Sequence, residues 1–109
     1  MKELTLVIPA KDEAECLPRV LDELKNFDCK KIIIIPETDL NTRNSIKNFD
    51  CKIITQKAGG FGGALIQGIK EVETNFLCIF NADGSFDPQY LKNMYNELLN
   101  NCDFVFNSR

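Results

Sequence analysis

The residues best suited to chemistry lie directly after an apolar run late in the chain. Residues 76–80 are all apolar, and Asn81, Ala82 and Asp83 follow at once. Small Ala82 lets its two polar neighbours project in the same direction. A hard divalent cation such as Mg²⁺ or Mn²⁺ takes carboxylate oxygen and usually keeps waters and substrate phosphates as further ligands. The motif predicts a metal site on Asp83 and Asn81 that a diphosphate completes; a turn stabilised by Asp83 and Ser85 is the alternative.

A second candidate is the glycine cluster at residues 59–63. It does not match a P-loop, because no Lys-Ser or Lys-Thr pair follows the glycines. The dinucleotide fingerprint fails too, because it belongs after the first strand and requires a glycine where Leu65 stands. Two interpretations stay open: close packing of the backbone against a neighbour, and backbone contact with a ligand.

Strands and helices that alternate along the chain must position these groups. Short, nearly continuous apolar runs predict strands buried on both faces, at residues 4–8, 31–35, 51–55, 76–80 and 103–106. Apolar side chains at helical spacing predict three helices, with stripes of Leu17, Val20, Leu21 and Leu24, of Leu65, Ile69 and Val72, and of Leu91, Met94, Tyr95 and Leu98. A weaker, short helix is expected over residues 41–49, and Asp87-Pro88 is a typical start for the third apolar helix.

This alternation predicts an α/β fold: a Rossmann-like, three-layer α/β/α arrangement of about five mainly parallel strands with flanking helices. In such sheets ligands bind beyond the carboxyl ends of the strands. Functional residues are therefore expected just after each strand, in residues 9–13, 36–39, 56–63, 81–85 and 107–109.

Composition excludes several classes of function. The chain has 109 residues, 44% of them hydrophobic, with a net charge of −3 and no histidine. Catalysis by Ser-His-Asp or Cys-His and a His-ligated zinc site are excluded within it. The interspersed charges argue against nucleic acid as a partner. No apolar run reaches the length of a membrane span or resembles a signal peptide, and five dispersed cysteines are typical of buried free thiols. We expect a cytoplasmic location.

Four motifs carry a resemblance to a known family. Residues 6–13 (Leu-Val-Ile-Pro-Ala-Lys-Asp-Glu) resemble the V-I-P-A-x-N-E opening of inverting family-2 glycosyltransferases, and residues 81–85 resemble the D-A-D-G-S form of their D-x-D motif. Residues 60–64 with 68–69 are similar to the G-x-G-x-A and G-I stretch seen especially in dolichol-phosphate and polyprenol-phosphate sugar synthases. Residues 107–109 resemble the G-S-R after the next strand. The four motifs occur in the family's order and span essentially the whole chain.

The resemblance implies that residues 1–109 are a single domain, the half of a GT-A fold that binds a nucleotide-diphosphate sugar. It implies that Pro9 and Glu13 line the nucleoside pocket and that Arg109 reaches the phosphates. Asp83 would act catalytically by holding Mg²⁺ or Mn²⁺ on the diphosphate and stabilising the leaving group. The remaining candidate contacts to the nucleotide sugar are Ala10, Lys11, Glu37, Asp39, Gly60, Phe61, Asn81 and Ala82.

The sequence departs from the family pattern in three places. Residues 36–39 read Pro-Glu-Thr-Asp where the family has D-D-G-S, so either Glu37 replaces the aspartate that meets the base, or the base preference is altered or binding is weaker. Asn81 replaces the first aspartate of D-x-D, which removes a charge and predicts weaker metal binding. The chain also ends at Arg109, where the family continues into its acceptor half. It is expected to be truncated, and no residue in it is assigned as general base.

The prediction is transfer of a sugar with inversion from a UDP- or GDP-sugar to an acceptor such as a lipid phosphate or a glycan. The alternatives are a binding module without transferase activity, an inactive fragment, and a nucleotidyltransferase. The last is disfavoured because residues 9–13 lack the glycine-rich, basic loop of that class. A sheet edge left uncovered after the fifth strand predicts self-association.

Overall fold

Four strands and three helices alternate in the computed structural model, which describes residues 3–57 and 59–80 together with Ala82 and Asn93. In chain order they are β1 (Leu4–Pro9), α1 (Leu17–Leu24), β2 (Lys30–Pro36), α2 (Leu40–Ser45), β3 (Lys52–Gln56), α3 (Gly60–Lys70) and β4 (Phe76–Ile79). The described part thus contains four strands rather than about five. The predicted strand at 103–106 and the predicted helix around 91–98 lie outside the described residues.

The four strands form one parallel sheet in the order β3-β2-β1-β4. The pairing continues past two strand ends, because Ala10 N–H donates to the Ile34 carbonyl at 2.9 Å and Phe80 N–H donates to the Val7 carbonyl at 3.0 Å. The chain moves outward from β1 to β3 and then returns to place β4 on the other side of β1. Strand order therefore reverses beside β1, and the ligand crevice of such a sheet opens at its carboxyl edge near that reversal.

Both faces of the sheet are covered, which explains why its strands read as continuous apolar runs. Side chains alternate along a strand, so Leu6 and Ile8 pack into the core cluster under α1, while Val7 packs with Ile34 into the cluster under α3. All four side chains are fully buried. The predicted three-layer α/β/α fold is confirmed.

Helix α1 binds the sheet through the predicted stripe of large aliphatic side chains. Leu17, Val20, Leu21 and Leu24 are all buried at 2% exposure or less. Each contributes roughly 1.5–3 kcal/mol of burial free energy relative to an exposed position. Pro18 stands in the first turn, where its missing N–H costs no hydrogen bond.

Helix α3 packs differently, and the predicted stripe of Leu65, Ile69 and Val72 is only partly correct. The side of the helix against the sheet consists of Ala64 and Gly68, while Ile69 is 39% exposed. A Cβ atom on Gly68 would lie 2.6 Å from both Ile34 Cδ1 and Val7 Cγ1. The helix therefore lies too close to the sheet for a large residue there. Leu65 and Val72 pack at the margin of this contact, Val72 beyond the helix end.

Three further expectations concern the cysteines, membrane-spanning helices and self-association. The described cysteines, Cys16, Cys29, Cys51 and Cys78, are free thiols as predicted, but only Cys78 is buried; Cys102 lies outside the described residues. Among the described helices, none is long and apolar enough to cross a membrane. Self-association through a sheet edge stays a prediction.

Candidate functional site

A cleft of about 530 Å³ opens at the carboxyl ends of β1, β2 and β3. Its wall is built from the loop after each of these strands and from the first turn of α3. The lining residues are Pro9, Ala10, Lys11, Pro36, Thr38, Gln56, Lys57, Gly59, Gly60, Phe61 and Ala64. The structure therefore places a cavity where the strand-end rule predicted the functional residues.

The loop after β1 forms one wall of the cleft. Pro9 closes the strand, and Ala10 is 4% exposed, with its N–H held by the Ile34 carbonyl. Lys11 is exposed and follows this fixed point. The next residue, Asp12, has φ of 57°, in the left-handed region that non-glycine residues rarely adopt. The chain thus turns sharply at Asp12 and directs the following residues away from the cleft.

The glycine-rich turn before α3 forms the opposite wall. A Cβ at Gly59, Gly60 or Gly62 would meet no atom within 4 Å, so the packing interpretation is wrong for these three glycines. Gly60 has φ of 78°, which is the reason for a glycine at that position. Gly59 is the N-cap of α3 and carries no capping side chain. Phe61 lines the cleft with 61% of its surface exposed.

Side-chain amides hold this turn against β3. Gln56 Nε2 donates to the Gly60 carbonyl at 2.9 Å, and Gln67 Oε1 accepts from Lys57 N–H at 2.6 Å. The Gln67 amide also donates to the Thr55 carbonyl at 3.0 Å, so it joins α3 to the end of β3. The backbone of the turn is therefore fixed by protein groups, while the Lys57 side chain remains exposed.

The loop after β2 is fixed by Asp39 at the start of α2. Asp39 Oδ2 accepts from Asp12 N–H at 2.7 Å and from Thr42 Oγ1 at 2.7 Å, and Oδ1 accepts from Thr42 N–H at 3.2 Å. Thr42 Oγ1 in turn accepts from Glu13 N–H at 3.0 Å. Burial raises the pKa of the Asp39 carboxyl, but these hydrogen bonds and the nearby Arg43 charge outweigh it and leave the pKa below its ordinary value.

The structure brings some of the predicted site residues together and separates others. The cleft brings together five of them: Pro9, Ala10, Lys11, Gly60 and Phe61. Glu13 and Asp39 line a smaller hollow of about 290 Å³ beyond the loop after β1. Asp39 also lines a hollow of about 230 Å³ that shares Lys11 and Thr38 with the cleft, whereas exposed Glu37 lines neither the cleft nor these hollows. Ala82 is 3% exposed and packs into the core cluster under α1. Asn81, Asp83 and Arg109 lie outside the described residues, so the metal site stays a prediction.

Several cleft residues were not singled out from the sequence. Thr38, Gln56 and Lys57 lie within the predicted strand-end ranges, but nothing set them apart there. Lys57 is the most informative, because it supplies a second ammonium group opposite Lys11. A cation directly after a predicted strand was the available signal. Ala64 lies beyond the predicted range, because it reaches the cleft from one turn inside α3.

A larger hollow of about 670 Å³ lies at the other end of the sheet, beside the amino ends of the strands. Its cations are balanced by carboxylates: Lys52 Nζ pairs with Glu71 Oε1 at 2.7 Å, and Asp28 and Asp50 line the same wall. The strand-end rule favours the smaller carboxyl-end cleft as the functional site. Among residues 3–57 and 59–80, no cluster of three or more potential metal-ligating side chains occurs at either end.

The fold and the cleft define the class: an α/β protein with a cleft at the carboxyl edge of a parallel sheet, where sheets of this kind bind ligands. The comparison with known families is specific: the model for Glycosyl transferase family 2 matches residues 5–109. The chain belongs to this family, and the family resemblance drawn from the motifs is confirmed. The narrower resemblance to dolichol-phosphate and polyprenol-phosphate sugar synthases stays a prediction.

Curated relatives carry names that agree with the family. They include the uncharacterized glycosyltransferases Mb0553 of Mycobacterium bovis and Rv0539 of Mycobacterium tuberculosis. Each is 26% identical to this chain over 106 residues, which cover 97% of the chain and 48% of the relative. The chain therefore spans about half the length of the curated relatives it matches.

Proposed function

We propose that this chain binds a nucleotide-diphosphate sugar in the carboxyl-end cleft and supplies the donor half of an inverting glycosyltransferase. Membership of Glycosyl transferase family 2 is the observation that carries the proposal. The cleft supports it, because about 530 Å³ lies within the roughly 300–1,000 Å³ typical of small-molecule sites.

The charges of the cleft suit a diphosphate. Lys11 and Lys57 stand on opposite walls, and neither ammonium forms an ion pair within the described part of the chain. Between them, the open space above Gly59 and Gly60 allows a ligand to approach the backbone closely. Phe61 offers an exposed aromatic ring at the same wall for an apolar or stacking contact. We assign Lys11 and Lys57 to the diphosphate.

The chemistry proposed for the complete enzyme is a single displacement. An acceptor oxygen attacks the anomeric carbon opposite the diphosphate, the bond from that carbon to the diphosphate oxygen breaks, and its electron pair stays on the diphosphate. Asp83 and Asn81 are assigned to hold Mg²⁺ or Mn²⁺, which would stabilise the charge that develops on the leaving group. Arg109 is assigned to the same phosphates.

The acceptor belongs to the proposal as well. A lipid phosphate is already anionic and needs no general base, whereas a sugar hydroxyl acceptor requires one. No residue of this chain is assigned that role. The four cysteines in the described part of the chain are free thiols, which suits a reducing compartment and favours the cytoplasm as the place of action.

The direct test is isothermal titration of the chain with UDP, GDP and their sugars, with and without Mn²⁺. We expect one of the two nucleotides to bind, with an affinity that increases when Mn²⁺ is present. Asp83→Ala should abolish the Mn²⁺ effect, and Asp28→Ala, an exposed carboxylate at the opposite end of the sheet, should leave it unchanged. Absence of binding to every nucleotide and sugar would contradict the proposed function.

A binding module without transferase activity is the second candidate, and Asn81 is the observation that favours it. An amide in place of the first D-x-D carboxylate brings no charge to the cation. Asn81→Asp should then raise the Mn²⁺-dependent affinity. If it does not, Asn81 is not a ligand, and the metal assignment rests on Asp83 alone.

A further inference from the structure

The feature that the proposed function leaves unexplained is the hydrogen-bond network joining the loop after β1 to α2. These two segments are 27 residues apart in the chain where Asp12 meets Asp39. The link is made by one carboxylate and one fully buried hydroxyl, that of Thr42 at 0% exposure. The Thr42 hydroxyl donates to Asp39 and accepts from Glu13 N–H, so its donor and one of its acceptor positions are both used between these two segments.

We propose that Asp39 and Thr42 form a clamp that positions Lys11 for the donor diphosphate, and that Asp39 acts through this clamp rather than by touching the nucleotide. The role in donor binding rests on the proposed function; the clamp itself rests on the hydrogen bonds. Asp39 is thus a positioning residue. This reassigns a side chain that the sequence placed among the nucleotide contacts.

The hydrogen-bonding capacity of Asp39 supports the reassignment. A carboxylate oxygen accepts about two hydrogen bonds in the favoured directions. Oδ2 already accepts two, from Asp12 N–H and from Thr42 Oγ1, and Oδ1 accepts one from Thr42 N–H. Three of roughly four positions are therefore occupied by the protein itself.

The backbone of Asp12 shows why a clamp is needed. Its φ of 57° lies in the left-handed region, which is unfavourable for an L-residue and persists when surrounding contacts hold it. The bond from Asp12 N–H to the carboxylate is charge-assisted and 2.7 Å long. The adjacent N–H, that of Glu13, is held by Thr42. Two consecutive amides are fixed at the turn.

These hydrogen bonds fix the backbone position of Lys11. Its predecessor, Ala10, is fixed to β2 through the Ile34 carbonyl, and its successor, Asp12, is fixed to Asp39. The backbone of Lys11 is therefore anchored on both sides, at the wall of the cleft. Without the hydrogen bond from Asp12 N–H to Asp39, the turn at Asp12 can relax. The backbone that carries the Lys11 side chain is then no longer held in one position.

Two measurements on the full chain test the clamp. The first needs no ligand: amide hydrogen exchange at Asp12 and Glu13, read by NMR. Asp39→Ala should speed exchange at Asp12 about tenfold or more, since a charge-assisted bond is removed. Thr42→Val should do the same at Glu13, while Thr42→Ser, which keeps the hydroxyl, should restore protection. Asp28→Asn is the control for loss of one carboxylate elsewhere, and it should change neither amide.

The second measurement is titration with UDP, GDP and inorganic pyrophosphate. Because the clamp acts on Lys11 and hence on the phosphates, Asp39→Asn should weaken each ligand that binds by the same factor, roughly tenfold. A loss confined to one nucleobase would show that Asp39 touches the base and would overturn the proposal. Unchanged exchange at Asp12 in a folded Asp39→Ala or Asp39→Asn variant would overturn it equally. If no nucleotide binds the unmodified chain, the proposed function fails, but the exchange result still decides whether the clamp exists.

Discussion

The two ends of the sheet use their polar side chains in different ways. At the amino ends, lysine ammonium groups bind other groups of the protein. Lys52 pairs with Glu71 at 2.7 Å, and Lys31 Nζ donates to the Cys29 carbonyl at 3.2 Å. At the carboxyl ends, Asp39 and two glutamines bond to backbone amides and carbonyls of the loops. There the protein's own polar groups hold the loops in place.

This contrast favours the carboxyl ends of the strands as the place where a ligand binds. A cation already paired with a carboxylate gains little from an incoming anion, because it must first exchange partners. At the carboxyl ends the carboxylate and the amides are occupied with backbone groups, while Lys11 and Lys57 line the cleft without an ion pair among the described residues. Volume alone would have favoured the amino ends as the ligand site, since the hollow there is larger than the carboxyl-end cleft.

Replacing two lysines by alanine at one end of the sheet or at the other gives the largest expected difference in nucleotide affinity. The double variant Lys11→Ala/Lys57→Ala should lower the affinity for UDP or GDP by about a hundredfold, because each removes a charge-assisted contact to phosphate of roughly 1.5 kcal/mol. The double variant Lys31→Ala/Lys52→Ala removes the same charge from the amino end and should leave the affinity unchanged. Isothermal titration at fixed ionic strength measures both. Equal losses in the two variants would mean that net charge, and not the cleft, governs binding.

The sequence predicted most of the sheet for a simple physical reason. A parallel strand covered on both faces must be apolar at nearly every position, so runs such as residues 31–35 mark strands to within one or two residues of the observed bounds. The stripe of α1 was predicted equally well, because large aliphatic side chains make its contact with the sheet. Gly68 shows the limit: its side of α3 is closest to the sheet because it has no side chain, and a hydrophobic pattern gives no signal there.

The site was predictable in position but not in detail. The strand-end rule placed Pro9, Lys11 and Phe61 at the cleft, since it depends only on sheet topology. The task of Asp39 could not be predicted, because it depends on a hydrogen bond to Asp12, 27 residues earlier, which exists only in the folded chain. The same residue type at a strand end suits a ligand contact and a structural clamp equally well.

Two glycines in the first turn of α3 give the next effect, and their replacement should change the free energy of unfolding in opposite directions. Gly60→Ala forces an L-residue into φ of 78° and should lower the free energy of unfolding by about 1–2 kcal/mol. Gly62→Ala adds a Cβ in open space within α3 and should raise it by about 0.5–1 kcal/mol. Urea denaturation of the two single variants measures the difference. If Gly60→Ala is as stable as the unmodified chain, the positive φ does not explain that glycine.

Acid should act mainly through the carboxyl end of the sheet, because Glu71, the amino-end carboxyl group whose pKa Lys52 lowers, is in an exposed ion pair that contributes little. The folded chain holds the pKa of Asp39 below its ordinary value of 3.8. A carboxylate with a depressed folded pKa contributes stability that is present above the unfolded pKa and is lost as the pH falls through the folded one. Unfolding monitored by urea between pH 6 and pH 3 should therefore show a decline that Asp39→Asn reduces, on the order of 1 kcal/mol for a residue that caps a helix. An identical decline in the variant would exclude Asp39 as its source.

Alkali should act through the amino end, with the smallest effect. Burial raises the pKa of the Cys29 and Cys51 thiols above their ordinary value of 9.0. A raised folded pKa means that stability is fully present below the unfolded pKa and is lost as the pH rises past it, because the unfolded chain ionises its thiols first. Urea unfolding from pH 8 to pH 10 should show a shallow decline that Cys29→Ala/Cys51→Ala flattens, while its acid decline stays intact. Asp39→Asn should do the opposite: it should reduce the acid decline and leave the alkaline decline intact. Each variant would then reduce the pH response of one end of the sheet alone. A variant that altered both declines would show that the two ends are coupled through the core.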